Sequence, residues 1–331
     1  MMRMLSTAAA ACMLGSAVMA QEAPSATANS WPQQPVKVVV AAAAGGPIDV
    51  FGRVMAERMG QLLGQQVYVE NVPGAGGMVG GQSVARAKPD GYSAILGTIA
   101  THTHSQNLYK APLYNSATDF APVGLIAEIP LVLITRKDLP ADSLKDFAAY
   151  AKANAAKMNY GSAGTGSATH LGCALLNNAI GVNIQHVPYR GTAPAMQDLI
   201  AGRIDYLCEI VVTAKPQIDA GTVKAIATLS GTRSSVLPNL PTAKESGFPN
   251  TEADTWAGLF FPKGTSPVIV EKMNAAMIKA METPDVKAKL ETLGATIVVP
   301  ERRTPAYLAQ FVKDDIVKWA VPVKASGIQP E

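Results

Sequence analysis

Charge, cysteine and histidine are all scarce in this chain. Charged residues make up 16% of its 331 positions against 48% hydrophobic ones. A disordered polar tail or an ion-pair-laced coiled coil needs far more charge, so both are excluded. Lys+Arg 28 against Asp+Glu 25 gives a formal +3, and no basic run exceeds Arg302-Arg303. That is too little positive charge for a nucleic-acid footprint, so no nucleic-acid partner is expected. Three cysteines and four histidines do not make a zinc finger or ribbon. No G-x-x-x-x-G-K-[ST] phosphate loop occurs. Gly74-Ala75-Gly76-Gly77-Met78-Val79 comes near the dinucleotide fingerprint but has Val79 where the third glycine belongs. Gly81-Gln82-Ser83-Val84-Ala85 imitates a nucleophile elbow without its last glycine. No nucleophile–base pair is visible, so the chain is not expected to be an enzyme, and neither a cofactor nor a metal is expected.

The first segment, MMRMLSTAAAACMLGSAVMA, has one early Arg3, an apolar stretch and then small residues. Val18-Met19-Ala20 suits a signal peptidase, so residues 1–20 read as a signal peptide cleaved before Gln21. The run Leu5–Ala20 is short of the ~20 residues needed to span a bilayer, and no later apolar run reaches 18. Lipid attachment at Cys12 would need Leu or a similar residue three positions earlier, where Ala9 stands. Cleavage takes Cys12 away and leaves Cys173 and Cys208, 35 positions apart, in an oxidising compartment. Two outcomes stay open for them, a disulfide or two buried thiols acting as small hydrophobes.

What the chain does have is a repeated order of strand, glycine loop and helix. At roughly 100–200 residues per domain its length suggests two domains. Residues 21–34 are small and polar with two prolines, a disordered lead-in. Val36–Val40 is a β-branched run that stops at Gly45-Gly46-Pro47. Phe51, Val54, Met55, Met59 and Leu62 then recur at helical spacing until Gly64. The unit recurs with strand Val67–Glu70, loop Pro73–Gly77 and helix Met78–Arg86, then a strand Tyr92–Leu96. Ser143 and Asp146 open a helix in capping-box style. Asn159-Tyr160 leads into Gly161–Ser167 and a helix from Ala168 to Ile180, followed by strands near 184–187, 204–207 and 223–227. The last third is mainly helical, over 268–281, 286–293 and 305–320. This alternation predicts a mostly parallel sheet covered on both faces, in two α/β sets around 36–120 and 135–230.

The candidate binding chemistry lies in the glycine loops. Free N–H groups at a helix start, with the positive end of the dipole, favour an anion. In open α/β sheets such loops lie at the carboxyl ends of strands, where ligands bind. Three of them in matching context point to binding rather than to tight turns alone. Asp49 either offsets its own helix dipole or accepts from a ligand donor. Thr101-His102-Thr103-His104 on a strand would turn both imidazoles one way, as a metal pair lacking a third ligand, a polar ligand contact or a surface turn. His170 is a ligand contact or a capping histidine. Arg190, after Tyr189, either holds a carboxylate bidentately or pairs with Asp198 or Glu209.

Several segments together resemble one family. They are Gly45-Gly46-Pro47-Ile48-Asp49, Val69–Gly77, Lys88-Pro89-Asp90-Gly91-Tyr92, Tyr160–Ser167, His186–Gly191 and Leu240-Pro241-Thr242. In order and over essentially the whole mature chain, they look like the Bug-type receptors of tripartite tricarboxylate transporters. The resemblance implies an α/β, type II-like periplasmic binding protein fold with two lobes, a ligand cleft between them and two crossing hinge strands near Val123–Glu128 and Thr255–Phe260. Lobe 1 would be 35–124 plus 256–331, and lobe 2 would be 125–255. It also implies a monomeric periplasmic receptor that takes a small organic acid (a di- or tricarboxylate, aromatic acid or amino acid) by hinge closure and delivers it to membrane permease subunits. The implied ligand residues are Gly46, Asp49, Gly76 and Gly77 on one lobe, with Thr98, Thr101 and His102. On the other lobe they are Thr165, Gly166, Ser167, Thr169, His170, Tyr189 and Arg190. Ala41-Ala42-Ala43-Ala44 stands where members often carry a Pro-rich or aromatic-containing stretch. The rival functions are a ligand-sensing partner of a membrane receptor and an exported hydrolase or lyase.

Overall fold

The structure, a computed structural model, describes Ala28 and residues 30–325. The signal peptide expected over residues 1–20 and most of the expected lead-in fall outside the described residues. The lead-in ends earlier than expected: Trp31 is 4% exposed and its ring lies against Tyr92 and Phe261. An indole buries too much apolar area to be left in solvent when such a seat is available.

Eleven strands are described, in two sheets. The first sheet has six strands in the order β11-β4-β10-β3-β1-β2. These are β1 (Val36–Val40), β2 (Val67–Asn71), β3 (Ser93–Thr98), β4 (Phe120–Ile129), β10 (Thr255–Pro262) and β11 (Thr296–Ile297). The second has five in the order β7-β6-β8-β5-β9. They are β5 (Leu131–Arg136), β6 (Asn159–Ser162), β7 (Gln185–Pro188), β8 (Tyr206–Ile210) and β9 (Val223–Thr228). Each sheet is the floor of one lobe.

Both sheets are mixed, which corrects the expectation of mostly parallel ones. β1 pairs in parallel with β2 and β3, and β6 with β7 and β8. β10 runs antiparallel to both β3 and β4, and β5 antiparallel to both β8 and β9. The cause lies at the crossings. β4 passes directly through Pro130 into β5, with no helix to turn the chain back, so β5 enters its sheet from the opposite end. β10 returns after the irregular run 229–254 in the same way. β4 and β10 are neighbours, with register shifts between Ala257/Gly258 and Leu259/Phe260.

The helices follow from apolar spacing. Helix α1 (Pro47–Leu63) places Pro47 at its first turn, where a missing N–H is harmless. It buries Phe51, Met55 and Met59 against the first sheet, at about 1.5–3 kcal/mol for each large side chain fully removed from water. Helix α2 (Met78–Ala85) follows the second glycine loop, and a four-residue helix, α3 (Ser105–Leu108), follows β3. In the second lobe α4 (Leu144–Asn154) is capped by Ser143, which accepts from the Asp146 N–H. Helices α5 (Ala168–Ile180), α6 (Thr192–Ile200) and α7 (Val211–Asp219) cover that sheet. The chain closes with α8 (Pro267–Glu282), α9 (Pro284–Thr292) and α10 (Pro305–Ala325). α10 packs against β4 of the first sheet and α5 of the second lobe. One apolar cluster therefore runs through both lobes, from Ile95 and Trp256 to Leu131, Leu171 and Trp319. Among the described residues no helix is long and apolar enough to cross a membrane.

Candidate functional site

The first loop, between β1 and α1, is braced from below. Asp49 is 2% exposed. One carboxylate oxygen accepts from the Gly45 N–H at 2.8 Å and from Arg53 Nε at 3.0 Å. The other accepts from Asn71 Nδ2 at 3.0 Å and lies 3.0 Å from the second Arg53 nitrogen. Burial alone would raise its pKa, but the donors from Arg53, Gly45 and Asn71 together hold it below the usual value. With two donors on each oxygen, Asp49 is fitted to hold the loop in shape rather than to accept from a ligand. Gly46 caps α1 in extended conformation with no side-chain acceptor, so the first N–H groups of that helix find none there.

In the second loop, four successive residues have positive φ: Gly74 (129°), Ala75 (45°), Gly76 (61°) and Gly77 (96°). Gly77 is required twice over, since a Cβ there would also come within 2.6 Å of Thr101 Cγ2. Ala75 alone in this loop carries a side chain in the left-handed region. Thr101 in turn closes the end of β3: its hydroxyl accepts from the Thr98 N–H at 2.9 Å and lies 2.9 Å from His102 Nδ1.

The histidine pair is not on a strand. Residues Ala100–His104 form a π-helical turn, so His102 and His104 point to different sides of it. His102 enters the core of the first lobe, stacked on Phe260 with ring centroids 4.1 Å apart and close to Phe120 and Trp256. It is fully buried, which corrects the surface-turn alternative. His104 lies edge-on to Trp319 of α10, with ring centroids 4.6 Å apart. Burial pushes both imidazoles down to about 3, so each is neutral at ordinary pH. Among the described residues no three His, Cys, Asp or Glu side chains are grouped to hold a metal ion.

In the second lobe the loop after β6 is wired to itself. Ser167 caps α5 by accepting from the His170 N–H at 3.2 Å, and its hydroxyl donates to the Gly164 carbonyl at 2.7 Å. Thr169 Oγ1 accepts from the Ala163 N–H at 2.9 Å, and His170 Nδ1 accepts from the Gly166 N–H at 3.1 Å. That last bond leaves Nε2 to carry the proton of the neutral ring. Ser167, Thr169 and His170 thus shape the loop, while Thr165 and Gly166 are left facing the cleft. Of the two outcomes open for the cysteines, the structure has the bridge: Cys173 of α5 and Cys208 of β8 are joined, with Cα atoms 5.3 Å apart, both buried. The bridge ties α5 to the sheet beneath this loop.

The next loop carries Tyr189 and Arg190. The Tyr189 hydroxyl donates to Asp198 at 2.7 Å, and Asp198 also takes Arg203. Glu209 accepts from the Ile210 N–H and the Thr213 hydroxyl. Arg190 pairs with neither acid and is exposed, which corrects the structural pairing considered for it.

The loops of the two lobes meet around a cavity of about 220 Å³. Gly76 of the first lobe and Thr165 and Gly166 of the second line it. Ala75, Ala100, Ser105, Leu108 and Tyr109 line it as well, and sequence reasoning missed them. A helix of four residues has no periodicity to find, so no pattern could have marked Leu108. The lining holds no acid and no base, only hydroxyls, backbone and apolar groups. Gly46, Thr98, Thr101, Ser167, Tyr189 and Arg190 are not part of this lining. A wider groove of about 760 Å³, lined by Arg53, Glu57, Gln61 and Tyr68, lies on the outer face of α1 and β2. It contains no residue of the cavity between the loops.

Comparison with known proteins gives a consistent picture. The family model described as "Tripartite tricarboxylate transporter family receptor" matches residues 51–328. The UPF0065 protein in the TAR-I ttuE-ttuC' intergenic region of Agrobacterium vitis is 41% identical over 299 residues, 90% of this chain and 86% of that protein. The structure of MatC from Rhodopseudomonas palustris with bound malate is 40% identical, with TM-score 0.80 over 88% of this chain and all of that one (100%). The structure of the periplasmic binding protein BugD is also 40% identical, with TM-score 0.81 over 91% of this chain and 100% of that chain.

Proposed function

Since this chain belongs to the tripartite tricarboxylate transporter receptor family, we propose that it is an exported receptor that captures a small organic carboxylate between its lobes and delivers it to a membrane permease. The observation that carries this is the cavity itself, enclosed by Gly76 on one side and Thr165–Gly166 on the other, with no charged side chain in its lining. A carboxylate entering it meets hydroxyl-bearing side chains and backbone just ahead of the starts of helices α2 and α5. A charge at a helix start is stabilised by about 0.3–1 kcal/mol at the surface, and by up to about 2 kcal/mol when partly buried. Two lobes sharing one anion therefore gain most when closed around it, where water no longer competes. Closure is a rotation of the second sheet about the paired strands β4 and β10, and the ligand shifts an equilibrium that already exists. MatC with bound malate supports the dicarboxylate class as the first to test.

The experiment is a thermal-shift titration of the mature protein with di- and tricarboxylates, aromatic acids and amino acids. A ligand at 100 times its Kd stabilises the folded state by about 2.7 kcal/mol, a clear and saturable rise in melting temperature. The proposal fails if no acid shifts the melt and the denatured protein also releases no bound small molecule.

A further inference from the structure

One wall of the cavity comes from none of the glycine loops. The π-helical turn Ala100–His104 runs straight into α3, and Tyr109 follows with extended backbone. This piece is firmly seated. The Ser105 and Tyr114 hydroxyls both donate to the Thr101 carbonyl, at 2.7 and 2.6 Å. The Gln106 amide donates to the Tyr114 carbonyl at 3.2 Å, and Asn107 Nδ2 donates to the Ile316 carbonyl of α10 at 3.0 Å. From that seat Leu108 reaches across to the other lobe, where a Cβ on Gly166 would come within 2.6 Å of its Cδ1. The Tyr109 hydroxyl sits 3.8 Å from where a Cβ on Gly76 would be. One side chain thus leans on the glycine loop of the far lobe and the next on that of its own lobe.

We propose that Leu108, backed by Tyr109, is the residue that sets ligand size in this receptor, holding it to short acyclic acids and excluding tricarboxylates. The cavity of about 220 Å³ has room for a small organic acid, so what keeps out a third carboxylate is the apolar wall rather than volume alone. Leu108 offers no donor, so the part of the ligand that meets it is hydrocarbon, and a carboxylate pressed there would lose its hydration without compensation. The leucine also touches the far lobe, so a ligand that displaces it opposes closure as well as contact. This inference rests on the reading of the cleft as a carboxylate site.

The test is calorimetric titration of the mature protein, Leu108→Ala and Leu108→Phe with succinate, adipate and citrate, each variant first checked by its thermal melt. The unaltered protein binds at least one of the two straight-chain acids and not citrate. In Leu108→Ala the preference moves toward the larger acids by about tenfold or more, the range expected for opening an apolar pocket by a few carbons. In Leu108→Phe adipate is lost before succinate, which keeps the test decisive if the alanine variant does not fold. Citrate binding by the unaltered protein, or the same ranking in both variants, overturns the size-setting role and leaves the receptor reading standing. Failure of the unaltered protein to bind any of the three acids overturns the size-setting role, and the thermal-shift panel together with analysis of bound small molecules then decides the receptor reading.

Discussion

The imidazoles of His170 and His186 lie face to face beneath the second-lobe loop, ring centroids 3.7 Å apart and planes within 10° of parallel. Tyr160 stacks beside them and Tyr206 beyond it. Burial, with His186 adding a little, pushes His170 down to about 3, and burial pushes His186 down to about 4. Two rings this close hold one another's charge out, so the stack exists as neutral imidazole.

A pH dependence follows with a definite sign. The folded-state values lie below the ordinary value of about 6.5, so the unfolded chain binds these protons first. The contribution of the stack is complete above about 6.5 and is lost as pH falls toward about 4. Thermal melts at pH 7 and pH 5 check it through His186→Gln, whose melting temperature should fall less between the two than that of the unaltered protein. Equal falls would remove the stack as the cause.

Glu209 works in the opposite direction. Burial raises its carboxyl to about 7, against the donors Thr213 and Ile210 on one oxygen, while its other oxygen has no hydrogen-bond partner. The folded state therefore keeps this proton where the unfolded chain has lost it, and stability drops as pH rises from about 4.5 through about 7. Glu209→Gln keeps the acceptor for Ile210 and Thr213 and removes the charge. It should raise the melting temperature at pH 8 and leave it nearly unchanged at pH 4.5; a loss at pH 8 would contradict this account.

The Cys173–Cys208 bridge closes a sequence separation of 35. In the chain-entropy model such a loop contributes about 4 kcal/mol. Urea unfolding with and without a thiol reductant should show a lower midpoint on reduction. An unchanged midpoint would mean that the bridge adds nothing to what the buried sulfurs already gain by packing.

Ser167 and Arg190 separate structure from binding. Ser167→Ala removes the cap of α5 and should cost about 1 kcal/mol of stability. Arg190 is exposed and pairs with neither Asp198 nor Glu209, so Arg190→Ala should change stability by no more than about 0.5 kcal/mol. If Arg190 draws the acid into the cleft, its removal weakens binding and flattens the salt dependence of binding. Affinity and salt dependence equal to those of the unaltered protein would leave Arg190 a plain surface cation.

Much of this was written locally. The spacing of Phe51, Met55 and Met59 marks a helix wherever it is placed, because its period belongs to the backbone. The loops at Gly74–Gly77 and Ala163–Ser167 announce themselves because no other residue adopts their backbone so readily. The cap at Ser143 was equally plain. Each of these depends on neighbours a few positions away.

Tertiary structure decided what depends on distant partners. The direction of β5 follows from where β4 ends, at Ile129 just before Pro130, and not from any residue of β5 itself. His102 and His104 look like a pair in sequence, yet a π-helical turn sends one into the aromatic core and the other against Trp319. Leu108 looks like any leucine until the second lobe brings Gly166 to it. Sequence by itself determined most of the elements and the glycine-rich make-up of the loops, since those are properties of short stretches of backbone. Which loops face each other, and how much room they leave, was settled only when two sheets built from interleaved stretches of chain closed on one another.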